Sequence, residues 1–453
     1  MTLAIPHARV SNTPDPRVQH TGPASSTKRP LPSVAGSRLT VPLVDGRRVQ
    51  YANLDHAASA PCLDEVQDAV NELLPWYASV HRGAGFASQV STKIYEQART
   101  VVREFVGARR TDEVIFTRNT TDALNLLARA LPANTSVIVF DTDHHAALLP
   151  WRGPNVHRVT PTAQVERDLD EALAKTPVGP RLVVVTGAAN VTGELWPVAR
   201  LAAVARRHGA RVVLDAAQLA PHRPVDVREL DVDYVVLSGH KLYAPFGAGA
   251  LVGRADWLRA AYPYLVGGGA TRQVTERAVS WHLGPERHEA GSPNVVGAHA
   301  LAVACQTLGQ HWDTIIAHEE ALLDRLRAGL AGIPGVRQLS IFSDDAPRVG
   351  VVSFTVEGHD PGLVAAYLSA EHGIGVRDGA FCAHIAVHRL TGGRALRASL
   401  GLGSTAEHVD RLLTALRDLV IHGTDVRYEL VDGRFAPVDD PRPLPPFLTA
   451  RGQ

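Results

Sequence analysis

The chain has few cysteines, no long apolar run and no excess of charge of either sign. Its three cysteines, Cys62, Cys305 and Cys382, are widely spaced, so neither a structural zinc site nor a disulfide framework is indicated. The formal net charge is zero, which gives no support to a nucleic-acid or acidic-lipid partner. No apolar run is long enough for a membrane span, and the N terminus lacks the apolar core of a secretory signal. We therefore expect a cytoplasmic protein with reduced thiols.

Short apolar runs alternate with helical stretches in the middle of the chain. The predicted strands are Val114–Phe116, Ser136–Phe140, Arg181–Thr186, Arg211–Leu214, Tyr234–Leu237 and Ala248–Val252. Helices are predicted between them, for example at Asp122–Ala130 and Val198–His208. This alternation predicts an α/β fold whose mainly parallel sheet is covered on both faces. Ligands of such sheets bind outside the carboxyl ends of the strands.

The flanking segments predict a smaller α+β domain and two tails. The predicted elements are a hairpin with an Asp-Gly turn at 39–54, helices at Leu63–Trp76 and Thr92–Val106, a long helix from near Pro293 past His311, strands at Val351–Val356 and Leu396–Ser399, helices at Gly362–Glu371 and Thr405–Leu419, and a second turn at Asp432-Gly433. We accordingly expect a mobile tail at 1–37, a large domain at 61–297, a small domain built from 38–60 and 298–424, and a C-terminal extension at 425–453.

Two strand ends carry the pair of side chains that pyridoxal phosphate requires. Lys241 ends a Ser-Gly-His-Lys string after one predicted strand, and Asp215 directly follows another. The lysine would form the Schiff base, and the carboxylate would keep the pyridine nitrogen protonated so that the ring can accept electrons. A lone lysine is usually a solvated surface side chain, and an aspartate at a strand end is often a turn residue. Their occurrence at two strand ends of one sheet favours the cofactor.

Other strand ends carry side chains that suit the same cofactor. Thr120 and Thr121 stand between a strand and a helix, where N–H groups and hydroxyls bind phosphate, although Thr-Asp is also an ordinary helix cap. His144 would stack on the pyridine face, and its alternative is a plain loop histidine. Asn190 follows a further predicted strand, and Gln218 lies one turn after Asp215; both would contact the ring oxygen. Each of these residues is weak evidence for the cofactor by itself, and the assignments are favoured because Lys241 is present.

Cys382 lies in a glycine-flanked loop close to Arg377 and His384. Positive neighbours lower the pKa of a thiol and favour the nucleophilic thiolate, whereas most lone cysteines are small buried hydrophobes. Arg397 would clamp a substrate carboxylate with its bidentate fork, and its alternative is an ordinary surface arginine. The C-terminal part of the chain therefore supplies a candidate nucleophile and a candidate carboxylate ligand.

With these residues in place, the chain resembles the class V aminotransferase family of fold-type I pyridoxal phosphate enzymes, and most closely the group II cysteine desulfurases. The resemblance runs from about Tyr51 to Leu419. It is carried by the motifs Tyr51-Ala52-Asn53-Leu54-Asp55-His56-Ala57-Ala58, His81-Arg82-Gly83, Asn119-Thr120-Thr121-Asp122, Asp143-His144-His145-Ala146, Leu214-Asp215-Ala216-Ala217-Gln218, Ser238-Gly239-His240-Lys241, Glu289-Ala290-Gly291-Ser292-Pro293-Asn294, Val376-Arg377-Asp378-Gly379, Cys382 and Arg397-Ala398-Ser399. It implies a large domain with a mainly parallel seven-stranded sheet, a smaller α+β domain, and a homodimer with shared active sites.

The resemblance also implies a role for each candidate residue. The implied catalytic residues are Lys241 as Schiff-base lysine and proton shuttle, Cys382 as the persulfide-forming cysteine, and His144. The implied cofactor ligands are Asp215 at the pyridine nitrogen, His144 on the ring, Asn190 and Gln218 at the ring oxygen, and Thr120, Thr121, Ser238, His240 and Ser292 of the partner subunit at the phosphate. The implied substrate ligands are Ala57, Asn190, Arg377, Arg397 and Arg272. No metal is implied, and a sulfur-acceptor protein is an expected partner.

Two departures from the family pattern keep other activities open. Ala380 and Phe381 stand where group II desulfurases usually carry two histidines before the cysteine. Arg272 replaces a normally uncharged side chain, which suits a larger or more acidic substrate. We expect a cysteine desulfurase that converts L-cysteine to L-alanine. The alternatives are a C–S lyase acting on a cysteine conjugate or sulfoxide, an aminotransferase or epimerase of a secondary pathway, and a sulfur-relay scaffold, against which the intact Lys241 argues.

Overall fold

A computed structural model describes residues 29–449. Most of the predicted N-terminal tail and the last four residues of the predicted C-terminal extension lie outside the described residues. The described strands are β1 Thr40–Pro42, β2 Arg48–Gln50, β3 Ala52–Asn53, β4 Asp112–Thr117, β5 Ser136–Phe140, β6 Val156–Val159, β7 Arg181–Thr186, β8 Arg211–Asp215, β9 Tyr234–Ser238, β10 Gly249–Arg254, β11 Thr271–Val274, β12 Val279–Trp281, β13 Val336–Gln338, β14 Val351–Val356, β15 Ile374–Gly375, β16 Arg377–Gly379, β17 Ala395–Ser399, β18 Tyr428–Val431 and β19 Arg434–Pro437. The described α-helices are α1 Asp64–Leu73, α2 Phe86–Phe105, α3 Thr120–Ala130, α4 His145–Leu148, α5 Val165–Ala174, α6 Val198–Arg207, α7 Ala255–Ala260, α8 Val295–Ala331, α9 Pro361–His372, α10 His384–Thr391, α11 Ala406–His422 and α12 Pro446–Thr449.

The large sheet has seven strands in the order β4-β10-β9-β8-β7-β5-β6. Only β10 runs against its neighbours, and it pairs antiparallel with both β4 and β9. The prediction of an α/β fold with a mainly parallel sheet is therefore confirmed. The sequence pattern missed β6, because this edge strand is only half-buried and so lacks the continuous apolar run of the central strands.

Both faces of the large sheet are covered by helices. Ile138 and Phe140 of β5 pack in a buried cluster with residues of α5, α6 and α8. Val137 and Val139 of the same strand pack in a second cluster with α3 and α7. Successive side chains of a strand point to opposite faces, so the unbroken apolar run of β5 serves both layers. This double burial explains why the central strands were recognisable from the sequence.

A second, four-stranded sheet has the order β13-β14-β17-β16. It packs with α9 and α11 around its own apolar cluster. The helix α8 joins the two parts, since Leu301 and Leu308 lie in the core of the large sheet and Leu326 and Leu330 lie in the core of the small one. The predicted long helix is thus confirmed, and it continues to Ala331. The domain boundaries within the chain stay a prediction.

Two short connections join residues 52–55 to the C-terminal part of the chain. β3 pairs in parallel with β15, and Asp55 forms an isolated bridge with Ser399. Residues 52–53 were predicted as part of the N-terminal hairpin, but that hairpin consists of β1 and β2 alone. Tyr51 N–H still bonds to the Leu39 carbonyl at the open end of the hairpin, but the next N–H, that of Ala52, bonds to the Gly373 carbonyl. From Ala52 onward the chain therefore pairs with β15.

The C-terminal extension forms a hairpin of β18 and β19. Its turn residues Asp432 and Gly433 have φ values of +49° and +76°, as the two-residue turns of right-twisted hairpins require. The predicted Asp-Gly turn is therefore confirmed. Among residues 29–449, no helix combines the length and the apolar character that a membrane crossing requires.

Candidate active site

A cavity of about 230 Å³ opens at the carboxyl edge of the large sheet. The ends of β4, β5, β7, β8 and β9 meet there, because these strands run in the same direction. The cavity is lined by Ala57, Ala58, Asn119, Thr120, Thr121, His144, Ala146, Thr186, Ala188, Asn190, Asp215, Ala217, Gln218, Ser238, His240, Lys241, Arg377, Phe381, Cys382 and Arg397. This set includes every candidate residue from the sequence except Ser292 and Arg272.

Lys241 and Asp215 face this cavity from the ends of neighbouring strands. Burial lowers the pKa of Lys241 to about 8, and the charge of Asp215 opposes that shift. Asp215 is buried, its carboxylate accepts the backbone N–H of Ala217 at 2.9 Å, and burial raises its pKa. The cavity therefore holds an amine that loses its proton at about pH 8, together with a buried carboxylate.

A chain of buried polar groups extends behind Lys241. Its Nζ lies 3.5 Å from Oε1 of Gln218, and Nε2 of Gln218 lies 3.0 Å from Nε2 of His222. The other ring nitrogen of His222 bonds to Glu319, which also accepts from Arg223 at 2.7 Å. The sequence analysis missed His222 and Glu319. The spacing of four residues from Gln218 could have indicated His222, but Glu319 comes from the distant helix α8 and had no local signal.

His144 lies in the short connection between β5 and α4, next to Asp143. Its Nδ1 accepts the backbone N–H of Ala146 at 3.0 Å, so the ring carries its proton on Nε2. Burial and the nearby charge of Lys241 lower the pKa of His144 to about 3, and the ring is neutral at physiological pH. Asp143 is fully enclosed behind it, where Thr186 Oγ1 donates to the carboxylate at 2.8 Å. A neutral, oriented ring suits stacking on an aromatic cofactor.

The start of α3 forms one end of the cavity. Thr120 is buried, and among the described residues its Oγ1 has no hydrogen-bond partner. The N–H groups of a first helical turn likewise have no partner within the helix. Gly249 lets β10 approach this turn, because a Cβ at that position would lie 2.7 Å from Cα of Asn119.

This end of the cavity fits a phosphate group. The orphaned hydroxyl and the helix N–H groups share the cavity with Ser238 and His240, and such a donor set binds phosphate well. Together with the amine of Lys241 and the carboxylate of Asp215, it supplies the three kinds of group that pyridoxal phosphate requires. The residues present therefore fit this cofactor.

Arg397 reaches the cavity from β17 of the small sheet. It is buried, with 3% of its surface exposed. One amino group donates to the carbonyl of Asn190 at 2.9 Å, and the other donates to Asp55 at 3.1 Å. Its Nε has no partner among the described residues. A buried guanidinium with an unused donor is suited to binding a carboxylate. The alternative of an ordinary surface arginine is wrong, because Arg397 is buried.

Cys382 lies on a loop between β16 and α10, and its side chain is exposed while lining the same cavity. Its carbonyl accepts the backbone N–H of His145 at 2.8 Å. Arg377 and Ala57 also line the cavity. Cys305, in contrast, is buried within α8.

Ser292 and Arg272 lie outside this cavity. Ser292 is exposed and belongs to a separate depression with Tyr264 and Asn294. Arg272 is exposed on β11. Their predicted place in the active site of a partner subunit stays a prediction.

Comparison with known proteins gives a consistent result. Residues 52–412 match the family described as aminotransferase class-V. A cysteine desulfurase of Klebsiella pneumoniae is 36% identical over 83% of this chain and 94% of its own length. A probable cysteine desulfurase of Mycolicibacterium paratuberculosis is 35% identical over 82% of this chain, which spans only 56% of that relative. The apo structure of a cysteine desulfurase from Thermococcus onnurineus has a TM-score of 0.76 at 30% identity and covers 86% of this chain and 98% of its own.

Proposed function

The chain belongs to the aminotransferase class-V family, and on that premise we propose that it converts L-cysteine to L-alanine and leaves a persulfide on Cys382. The family depends on pyridoxal phosphate, and this chain is a pyridoxal-phosphate enzyme. One observation carries the proposal for the substrate: Lys241, Arg397 and Cys382 line a single cavity of about 230 Å³. That cavity offers an amine, a carboxylate ligand and a sulfur nucleophile to the same small molecule.

The cavity residues would hold the cofactor by complementary chemistry. Asp215 would pair with the pyridine nitrogen, His144 would cover the ring, and Lys241 would be the covalent attachment point. The phosphate ligands in this proposal are Thr120, Thr121, Ser238, His240 and Ser292 of the partner subunit. Gln218 and Asn190 would contact the ring oxygen. When bound, pyridoxal phosphate supplies an electron sink for charge that develops at the Cα of the substrate.

The chain's own residues would orient the substrate and move its proton. Arg397 would bind the carboxylate through its unused donor, and Asn190 would assist. Lys241 Nζ, which is neutral above about pH 8, can accept the proton from Cα and return it later, as a general base and acid. Ala57 and Arg377 would line the substrate's other side. Arg272 of the partner subunit would add positive charge at the entrance.

Cys382 would then take the sulfur atom. Its thiolate attacks the substrate sulfur, so that a sulfur–sulfur bond forms while the bond from sulfur to Cβ breaks. The electron pair of the broken bond stays with the substrate carbon, which is protonated. The balanced outcome is that L-cysteine and a protein thiol become L-alanine and a protein persulfide. No external oxidant is consumed in this step.

Product analysis with L-cysteine tests the proposal. The native chain and Cys382→Ala are compared with and without a thiol reductant, and Cys62→Ala serves as a matched cysteine control. We expect alanine together with sulfide released by the reductant, both lost only in Cys382→Ala. Pyruvate and ammonia from both proteins would instead identify the C–S lyase alternative. That alternative is favoured by Phe381, which stands directly before Cys382 where group II desulfurases usually carry a histidine.

We also propose a homodimer with shared sites, a cytoplasmic location and transfer of the sulfur to an acceptor protein. Exposed apolar side chains in the segment that leads to Arg272, among them Leu265 and Val266, support an interface between two copies. The need for a reduced Cys382 supports the location. The exposure of Cys382 supports direct access for an acceptor. Sedimentation of the holoenzyme tests the dimer, because a monomer would leave Ser292 and Arg272 without a site.

A further inference from the structure

Phe381 is a buried residue next to an exposed nucleophile. It directly precedes Cys382, and only 6% of its surface is exposed. Its ring packs in a small apolar cluster that includes Val191, Ala386 and Val387. The side chain of Cys382 is exposed. A buried ring can therefore fix the loop while its neighbour keeps a free sulfur atom.

Phe381 contacts the same two side chains that we propose as ligands of the substrate carboxylate. Its ring centroid lies 5.1 Å from Cζ of Arg397, and its carbonyl accepts Nδ2 of Asn190 at 2.8 Å. A guanidinium over an aromatic face is attracted most strongly where both are removed from water, and Arg397 is buried. The loop is thus attached to the substrate side of the cavity rather than to a separate surface.

The backbone of the loop does not favour this arrangement by itself. Phe381 and Cys382 have φ values of +52° and +53°, in the left-handed region that residues with a side chain disfavour. Two successive residues persist there only where the surrounding contacts hold them. The bond from His145 N–H to the Cys382 carbonyl, 2.8 Å long, and the contacts of Phe381 are such restraints.

We infer that Phe381 is the positioning residue for Cys382 and couples the place of the thiol to Arg397 and Asn190. The inference rests on the proposed function, because those two residues are its carboxylate ligands. A substrate carboxylate that binds Arg397 and Asn190 would contact the same two side chains that hold the ring and the carbonyl of Phe381. Carboxylate binding and placement of the thiol are therefore linked through one side chain.

Hydrogen–deuterium exchange of the holoenzyme tests the anchor without reference to activity. In Phe381→Ala the Cys382 carbonyl, which accepts the N–H of His145, is no longer held in place. A peptide covering residues 143–149 should therefore exchange about tenfold faster. Phe381→Leu keeps apolar volume without the ring and should give an intermediate rate. The exposed Phe447→Ala and a peptide over β8 are controls and should match the native protein. Unchanged exchange at residues 143–149 in Phe381→Ala would overturn the anchor.

Kinetics with L-cysteine test the consequence for the reaction. In Phe381→Ala, kcat for alanine formation should fall about tenfold or more. The absorbance change of the cofactor should still occur but should need more L-cysteine, because Arg397 loses its contact with the ring. Faster exchange with unchanged kcat would overturn the positioning role. If even the native protein forms no alanine, the proposed function fails, and the exchange experiment still decides whether Phe381 holds the loop.

Discussion

Lys241 and Gln218 approach each other within the active site, with Nζ of the lysine 3.5 Å from Oε1 of the amide. The orientation of that amide follows from the groups behind it. Glu319 bonds to Nδ1 of His222, and Nε2 on the other side of the ring lies 3.0 Å from Nε2 of Gln218, whose amide nitrogen can only donate. Nε2 of that ring therefore faces the NH₂ group of Gln218, and the amide oxygen is directed to Lys241.

Loss of Glu319 should destabilise the protein strongly. Its carboxylate is buried between His222 and Arg223, and removing one partner of a buried charged network costs roughly 3–5 kcal/mol. We expect Glu319→Ala to lower the free energy of unfolding by about that amount, measured as a shift of the urea midpoint. Glu319→Gln keeps an acceptor for His222 and should lose less.

The exposed pair of Arg325 and Asp410 provides the matched control. Both carboxylate oxygens of Asp410 accept from Arg325 at 2.6 Å, but water screens that pair. Asp410→Ala should leave the urea midpoint nearly unchanged. Equal losses for Glu319→Ala and Asp410→Ala would show that the buried network does not stabilise the fold.

The sequence was informative about Lys241 and Asp215 because each ends a strand with a continuous apolar run. Parallel strands share one carboxyl edge, so neighbouring strand ends could be placed together without coordinates. Contacts between distant segments had no such signal. Glu319, for example, contacts His222 although the two residues are 97 positions apart in the chain. Phe381 was visible only as a departure from a motif, and its contact with Arg397 depends on how the small sheet packs on the large one.

Arg397→Lys should weaken substrate binding more than turnover. The guanidinium spans Asn190 and Asp55 and still has a free Nε, a planar arrangement that an ammonium cannot reproduce. A lost charge-assisted hydrogen bond of about 1.5–3 kcal/mol corresponds to a KM for L-cysteine raised by about tenfold to a hundredfold. Steady-state kinetics measure the effect. The half-exposed Arg394→Lys is the control, and an equal rise in both variants would argue against carboxylate binding by Arg397.

The C-terminal hairpin should stabilise the small sheet without contributing to catalysis. Tyr428 of β18 donates to Oε1 of Glu371 at 2.8 Å, and the N–H of Asp425 bonds to Oε2 at 3.0 Å. Tyr428→Phe should therefore cost about 1 kcal/mol of unfolding free energy and leave kcat and KM at the native values. Tyr77→Phe, at an exposed ring, is the control. A loss of activity in Tyr428→Phe would show that the extension affects the active site.

The amine of Lys241 should become reactive at a lower pH than an ordinary lysine. Burial lowers its pKa to about 8, against a usual value of about 10.4. Once the cofactor has been removed, the rate of pyridoxal phosphate uptake should rise with pH and level off above a midpoint of about 8. Absorbance follows the uptake, and Nα-acetyl-lysine treated in parallel corrects for the titration of the reagent.

The direction of two further effects follows from the same pKa. Asp215 raises the pKa of Lys241, so Asp215→Asn should move the uptake midpoint below 8.

The pKa of Lys241 in the folded protein also lies below its pKa in the unfolded chain, so the unfolded chain binds more protons between about pH 8 and pH 10.4. The stability contribution of Lys241 in the cofactor-free protein therefore rises with pH across that window, and Lys241→Met should remove the rise. A native uptake midpoint near 10.4 would contradict the burial of the amine on which both effects depend.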